Sequence, residues 1–258
     1  MTTELTIKQV NLTTIHRQAA NSAIIVNAHR INAGNSDLKM ADDFIYIHRP
    51  DPAAAYEYIL DEIIEKNYNA DKNSIDDIQV LASHYRGACG VDALNKGIQQ
   101  ATNPFIRNSP PDEILNVNFI KFAPGDRVMH IKNNYNLQVM NGEIGTVDKY
   151  DKIDKILHVI FDDNRKVPYE LADVNQLRLS YACTIHKSQG CEFPIVVVAA
   201  ASDTPFPLRQ RALLYTAVTR ARKKCIIVGD IMVINQMIRN GSQQLRMTKL
   251  AERVKSAL

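Results

Sequence analysis

Residues 181–193 read YACTIHKSQGCEF, and the apolar run 195–201, IVVVAAA, follows almost at once. Residues 213–222 repeat the arrangement in reverse composition: LLYTAVTRAR, then the apolar run 225–228, CIIV. Each stretch joins a short continuous apolar run to a polar segment bearing His, Lys or Arg. A run of that length with β-branched residues suits a strand buried on both faces, as in parallel sheets. Polar, cationic segments at the ends of such strands are where open α/β sheets bind anionic ligands. The two stretches therefore predict an α/β layer with a nucleotide or nucleic-acid site on its edge.

The chain upstream supports that layer. Residues 5–10 alternate weakly and suit an edge strand. In 11–34, Ala20, Ile24, Ile25, Ala28 and Ile31 recur at helical spacing and Gly34 follows as a stop. Residues 43–48 (DFIYIH) read as a strand, Pro50 and Pro52 break the chain, and 53–66 carry a helical face through Tyr56, Ile59, Leu60, Ile63 and Ile64. Residues 78–82 (IQVLA) read as a buried strand that runs through a Gly-containing turn into a helix reaching about Ala101. Strand, turn and helix in that order are half of a βαβ unit. Residues 103–118, with Pro104, Pro110 and Pro111, read as a linker or domain boundary. Beyond it the texture changes to short strands and close turns: 126–131, 143–149, 156–162 and 167–170, a pattern expected of a small β-barrel. Residues 177–182 are expected to return to the α/β layer, 208–222 to form a helix ending in cations, and 231–258 a basic helical tail interrupted at Asn240-Gly241.

Composition narrows the function less than these patterns do. At 258 residues, with 45% hydrophobic and 23% charged residues, a large core is available. A formal charge of +3 is too small to argue for nucleic acid without local clustering. No apolar run approaches the roughly 20 residues of a membrane span, and the N-terminus has no basic-then-apolar leader. A cytoplasmic protein without membrane partners is expected. The four Cys (89, 183, 191, 225) read as free thiols. Cys183, His186 and Cys191 supply only three candidate ligands, so no metal site is assigned.

The quoted stretches, read together, resemble motifs V and VI of superfamily 1 DNA helicases, the RecD/TraA branch in particular. LTTIHRQ at 12–18 resembles motif IV, and QVLASHYRGACGVDALNKGIQ at 79–99 resembles the segment that follows it. FAPGDRVMHIKNNYNLQVMNGEIGTV at 122–147 resembles the SH3-like insertion of RecD-type helicases. The resemblance implies a RecA-like lobe of the P-loop NTPase type, mostly parallel with helices on both faces, over 1–118 and 176–258. It implies an inserted SH3-like β-barrel over 119–175. By resemblance, Arg220 is the arginine finger and Arg17 a second cation reaching the terminal phosphate of ATP. Gln189 and Gly190 would pass close to nucleotide phosphate, and Glu192 would hold the ribose. Single-stranded DNA would meet Ser83, Tyr85, Arg86, Thr184, His186 and Lys187. From the barrel, Lys132 and Tyr135 would join them, with Lys121 and Arg127 as further contributors. For Tyr85, ordinary packing and base stacking both stay open.

The phosphate cradle itself is missing. No stretch matches GxxxxGK[ST], and no strand ends in an Asp-Glu pair suited to Mg²⁺ and water activation. The expectation is the C-terminal motor portion of a 5′–3′ DNA helicase, inactive as an ATPase by itself. ATP and Mg²⁺ would belong to the complete enzyme. Expected partners are single-stranded DNA, an N-terminal RecA-like lobe and, where the parent works in a complex, nuclease–helicase subunits. The competing expectation is a stand-alone nucleic-acid-binding or scaffolding protein that has lost its motor.

Overall fold

In a computed structural model, residues 22–62, 75–110, 113–241, 249 and 253 are described. Arg17, the strand expected at 5–10 and the first half of the helix expected at 11–34 lie outside them. So do residues 63–66 of the second expected helix, and nearly all of the tail beyond Gly241.

Five strands form a fully parallel sheet: β1 (Phe44–His48), β2 (Ile78–Ala82), β10 (Ala182–Thr184), β11 (Phe193–Ala200) and β12 (Ala221–Gly229). Their order across it is β1-β12-β11-β2-β10. The apolar runs quoted above occupy its centre, where neighbouring strands cover both edges and helices cover both faces. Along β11 the side chains alternate between two cores. Val196, Val198 and Ala200 pack under α1 (Ala23–Asn32), α5 (Arg211–Val218) and α6 (Ile231–Arg239). Ile195, Val197 and Ala199 pack under α2 (Pro52–Asp61) and α3 (Val91–Thr102). Continuous apolar composition is thus required, because either face of the strand is core. Local chemistry starts the helices. Ser22 accepts from the Ile24 N–H at 3.2 Å, Asp51 from Ala54 at 2.9 Å with Pro52 in the first turn, and Asp230 from Met232 at 2.8 Å.

The segment expected as a linker or domain boundary is structured, and it leads from the parallel layer to the second sheet. Asn103 caps a short helix, α4 (Pro104–Asn108), by accepting from the Phe105 N–H at 2.9 Å. A hairpin of β3 (Leu115–Val117) and β4 (Ile120–Phe122) follows. The prolines misled because Pro104 starts a helix as readily as it ends one. Next comes a second, antiparallel sheet of β5 (Arg127–His130), β6 (Ile144–Asp151), β7 (Ile156–Phe161), β8 (Lys166–Glu170) and β9 (Leu177–Leu179). Its order is β8-β7-β6-β5-β9. In β7, Leu157, Val159 and Phe161 are buried and the residues between them less so, the period of a sheet with one covered face. Strand β9 corrects the expectation for 177–182. It pairs antiparallel with β5, Val128 opposite Leu179, and the chain rejoins the parallel layer only at Ala182. A second correction concerns the cations after Arg220. The helix stops at Val218, and Arg222, Lys223 and Lys224 lie on β12.

The two sheets meet over a buried carboxylate. Asp126, fully buried, accepts from the Ala123 N–H at 2.8 Å, Gln99 Nε2 at 2.5 Å, Asn103 Nδ2 at 2.7 Å and the Tyr181 hydroxyl at 3.0 Å. Burial raises its pKa, against the pull of those four donors. Its neighbour Arg127, expected on the strand-contacting rim, is buried instead. Its Nη1 donates to the Ile78 carbonyl at 3.2 Å and its guanidinium lies 5.8 Å from the Phe193 ring centroid. Burial lowers its pKa, and the Asp76 and Asp162 carboxylates oppose that. Asp126→Asn would set an amide N–H against donors while keeping the volume. Its expected cost is about 2–3 kcal/mol, read as a lower urea midpoint with unchanged m-value.

Candidate functional site

Strand β10 ends at Thr184, and the chain turns immediately. The Thr184 carbonyl accepts from the N–H groups of Lys187 at 2.9 Å and Ser188 at 3.2 Å, and its Oγ1 accepts from Lys187 N–H at 3.3 Å. Ser188, fully buried, donates its hydroxyl to the Ile185 carbonyl at 2.8 Å. These bonds consume Thr184, which is buried, and leave His186, Gln189, Gly190 and Glu192 exposed on the turn. Gly190 has φ +90°, and a Cβ built there would meet nothing within 4 Å. The turn needs glycine for its backbone and leaves open space over it, as close approach of a ligand to the main chain requires.

Arg220 comes from the other stretch and meets this turn. Its Nη1 donates to the Cys191 carbonyl at 3.0 Å, its Nε to the Thr216 carbonyl at 3.1 Å and its Nη2 to Thr219 Oγ1 at 3.2 Å. Its own carbonyl accepts from the Phe193 N–H at 2.9 Å. A half-buried guanidinium is thereby fixed beside the Gly190–Glu192 backbone. It offers a permanent charge and a planar fork of donors to an anion. Thr216 and Thr219 escaped the sequence reading. Thr216 acts through its backbone carbonyl, so its residue type carried no signal, and Thr219 could be found only as the neighbour of Arg220.

The expected nucleic-acid contacts separate into three groups. His186 and Lys187 stand on the turn, and Lys187 Nζ donates to Asn141 Oδ1 at 2.8 Å in the loop between β5 and β6. In that loop the Asn141 N–H donates to Asn133 Oδ1 at 2.9 Å, which ties down the segment carrying exposed Lys132 and Tyr135. Lys187, Lys132 and Tyr135 thus belong to one bonded surface spanning both sheets. Asn141 was legible only as the first half of an Asn-Gly turn. The third group lies after β2. Ser83 is buried, with its Oγ 3.0 Å from His84 Nδ1, so it is a structural residue and not a surface contact. His84 Nε2 is 3.5 Å from Asp203 Oδ2, and Asp203 also accepts from the Cys89 N–H at 3.2 Å. Burial works to raise the Asp203 pKa, but His84 and the Cys89 N–H outweigh it and hold the pKa low. This pinning of residues 83–90 leaves Tyr85 and Arg86 exposed.

Two family models match the chain. Residues 179–228 match the UvrD-like helicase C-terminal domain, a span containing β10, β11, α5 and β12. Residues 94–161 match the ATP-dependent RecD-like DNA helicase SH3 domain. The chain is 29% identical to the ATP-dependent RecD2 DNA helicase of Deinococcus radiodurans, over 96% of this chain and 32% of that protein. It is 30% identical to the RecBCD enzyme subunit RecD of Mycolicibacterium smegmatis, over 71% of this chain and 30% of that one. It therefore spans about a third of the length of the curated relatives it matches. Among solved structures, Bacteroides Pif1 bound to ssDNA shares the fold, with a TM-score of 0.53 at 20% identity, over 96% of this chain and 57% of that chain. The expected resemblance to RecD-type superfamily 1 helicases is borne out by these two domains and by the fold.

Cys191 makes this turn chemically addressable. Burial pushes the Cys89 and Cys183 thiols up to about 12, and Cys225 is raised too, so these three are inert at neutral pH. Cys191 is half-buried on the turn. A thiol-disulfide reagent at pH 8 should label one cysteine quickly in the folded chain, at Cys191, and all four after denaturation. Fast labelling at Cys183 or Cys225 would show the sheet to be open.

Proposed function

We propose that the chain is the C-terminal motor portion of an ATP-dependent DNA helicase, built from a RecA-like lobe and an inserted SH3-like module. The β3–β4 hairpin packs with the module through Leu115 and Phe122, and the chain returns to the lobe at Ser180–Tyr181. The observation that carries the reading is the Arg220 guanidinium held beside the open Gly190 turn. Gly190 and Arg220, 30 residues apart in the sequence, come together where β11 and β12 begin.

ATP suits this edge. The Gln189–Gly190 backbone would lie along phosphate, where no side chain intrudes. Glu192 would accept from ribose hydroxyls. Bound ATP supplies the phosphoanhydride whose cleavage drives movement. Arg220 would stabilise charge that develops on the terminal phosphoryl oxygens. Being fixed in advance by three hydrogen bonds, it spends little of that stabilisation on ordering its own side chain. The phosphate cradle and the carboxylates for Mg²⁺ would come from an N-terminal lobe. Single-stranded DNA would cross the surface formed by His186, Lys187, Lys132 and Tyr135, with phosphate contacts that position without reading sequence. A 5′–3′ polarity and, where the parent works in a complex, nuclease–helicase partners would belong to the complete protein.

The test is kinetic. The chain alone should show no ATPase activity above background, and DNA-stimulated turnover should appear when the N-terminal lobe is present. In that two-lobed enzyme, Arg220→Ala should lower kcat about 10³-fold or more while DNA affinity stays within about twofold. Arg220→Lys should recover little, because the ammonium lacks the fork. Normal turnover in Arg220→Ala would remove the residue from the site. Lost DNA binding with normal turnover would assign it to the strand.

A further inference from the structure

A second basic surface lies away from the Gly190 turn. A cleft of about 840 Å³ opens between α3, α4, the β3–β4 hairpin and β9. None of residues 184–192 lines it. Lys96, Arg107, Lys121 and Arg178 do, and all four are exposed. Among the described residues, none of the four takes part in an ion pair. Among the described residues, Arg178 bonds to the carbonyls of Asn175 and Leu177 alone. Asp92 is the one carboxylate lining the cleft among the described residues. Four cations facing one anion across a concave surface call for a polyanion.

The second observation concerns the hairpin. Val117 pairs with Ile120, which leaves a two-residue loop, Asn118–Phe119. Both have positive φ, 51° and 65°. Two-residue hairpin loops of this kind take Asn readily at the first position, but glycine is the usual occupant of the second. Here that position holds phenylalanine, 103% exposed, in a backbone region unfavourable to it, with no packing to compensate. Backbone strain combined with an unburied ring serves neither folding nor solubility. Tyr85, 51% exposed, lines the same cleft. Cations that track a phosphate backbone, interleaved with aromatic rings that accept bases, are the composition of a single-strand groove.

We propose that this cleft binds a run of single-stranded DNA outside the Gly190 turn, with phosphates on Lys96, Arg107, Lys121 and Arg178 and a base stacked on Phe119. The proposal extends the DNA-binding part of the function above and rests on it only for the choice of DNA as the polyanion. Duplex DNA fits less well, because its bases are already stacked on one another.

Equilibrium titration of a fluorescein-labelled oligo-dT with the 258-residue chain, at several salt concentrations, tests it. Phe119→Gly should weaken binding roughly tenfold, while its melting temperature stays equal or rises because the backbone strain is relieved. Phe119→Tyr should bind as wild type. The Arg107→Glu/Lys121→Glu double variant should flatten the salt slope by about 1.4, two single-strand phosphate contacts at about 0.7 each. Wild-type affinity and slope in both variants overturn the cleft. So does competition by inorganic polyphosphate as strong as that by oligo-dT, charge for charge, or a wild-type chain that binds no oligo-dT. A parallel His186→Ala/Lys187→Ala variant separates the two surfaces. Weakening there with normal cleft variants leaves the proposed function standing and removes the cleft. The converse keeps the cleft and removes the turn.

Discussion

Asp126 joins the two sheets, and its environment sets what the rest of the molecule can be. A carboxylate with no exposure must collect donors, and it takes them from both sides of the junction. Gln99 and Asn103 come from α3 and its cap, and Tyr181 comes from the returning chain. The bonds are directional, so they fix the angle of the antiparallel module as apolar contact alone would not. Gln79 reinforces them from the parallel sheet, with Nε2 at 3.4 Å and 3.2 Å from the carbonyls of Ser180 and Tyr181. Buried polar networks of this kind contribute little net stability but penalise every alternative packing. The junction is therefore better described as a device for orientation.

Orientation matters because the two candidate DNA surfaces both straddle the junction. The Lys187–Asn141 bond runs from the turn after β10 to the loop after β5. The basic cleft runs from α3 and α4 to the β3–β4 hairpin and β9. If the module swung by a few ångströms, both surfaces would lose their spacing. The Arg220 cluster, by contrast, lies wholly within the parallel layer. Its geometry depends on α5, β11 and the Gly190 turn. On the proposed function, nucleotide chemistry and strand contact would rest on separate supports joined by the turn that links β10 to β11, a suitable arrangement for coupling one to the other.

Much of the fold was legible because its signals are local. The runs at 78–82, 195–200 and 225–228 are apolar enough to be strands covered on both faces, and all three sit in the centre of the parallel sheet. The Gly190 turn was legible because glycine followed by open polar residues has few other uses between two such runs. What failed was non-local. Arg127 resembles any surface arginine in sequence; only the burial of Asp126 beside it and the proximity of Ile78 decide that it points inward. Ser83 was assigned to the strand on its position after β2. Its hydroxyl is instead taken by His84, which Asp203 holds from far along the chain. Leu177–Leu179 could have paired with either sheet, since so short a strand carries no register information.

Lys223 and Lys224 show the same limit from the other side. As the end of a helix they would lie next to Arg220 and compete with it for the same anion. On β12 they lie where the register shifts between the Phe193–Ala221 and Ile195–Lys224 pairs, and the helix ends at Val218 with Thr219 making the turn. The difference follows from Ala221. It is 1% exposed and pairs with Phe193, whose N–H is bound by the Arg220 carbonyl. Once Phe193 and Ala221 are paired, Arg220 has to be the last residue before the sheet, and its side chain falls over the Cys191 carbonyl. The position of the guanidinium is thus set by strand register in the core. Among the described residues of this stretch, Arg220 is the cation bonded to the turn, and Arg222, Lys223 and Lys224 lie on the strand.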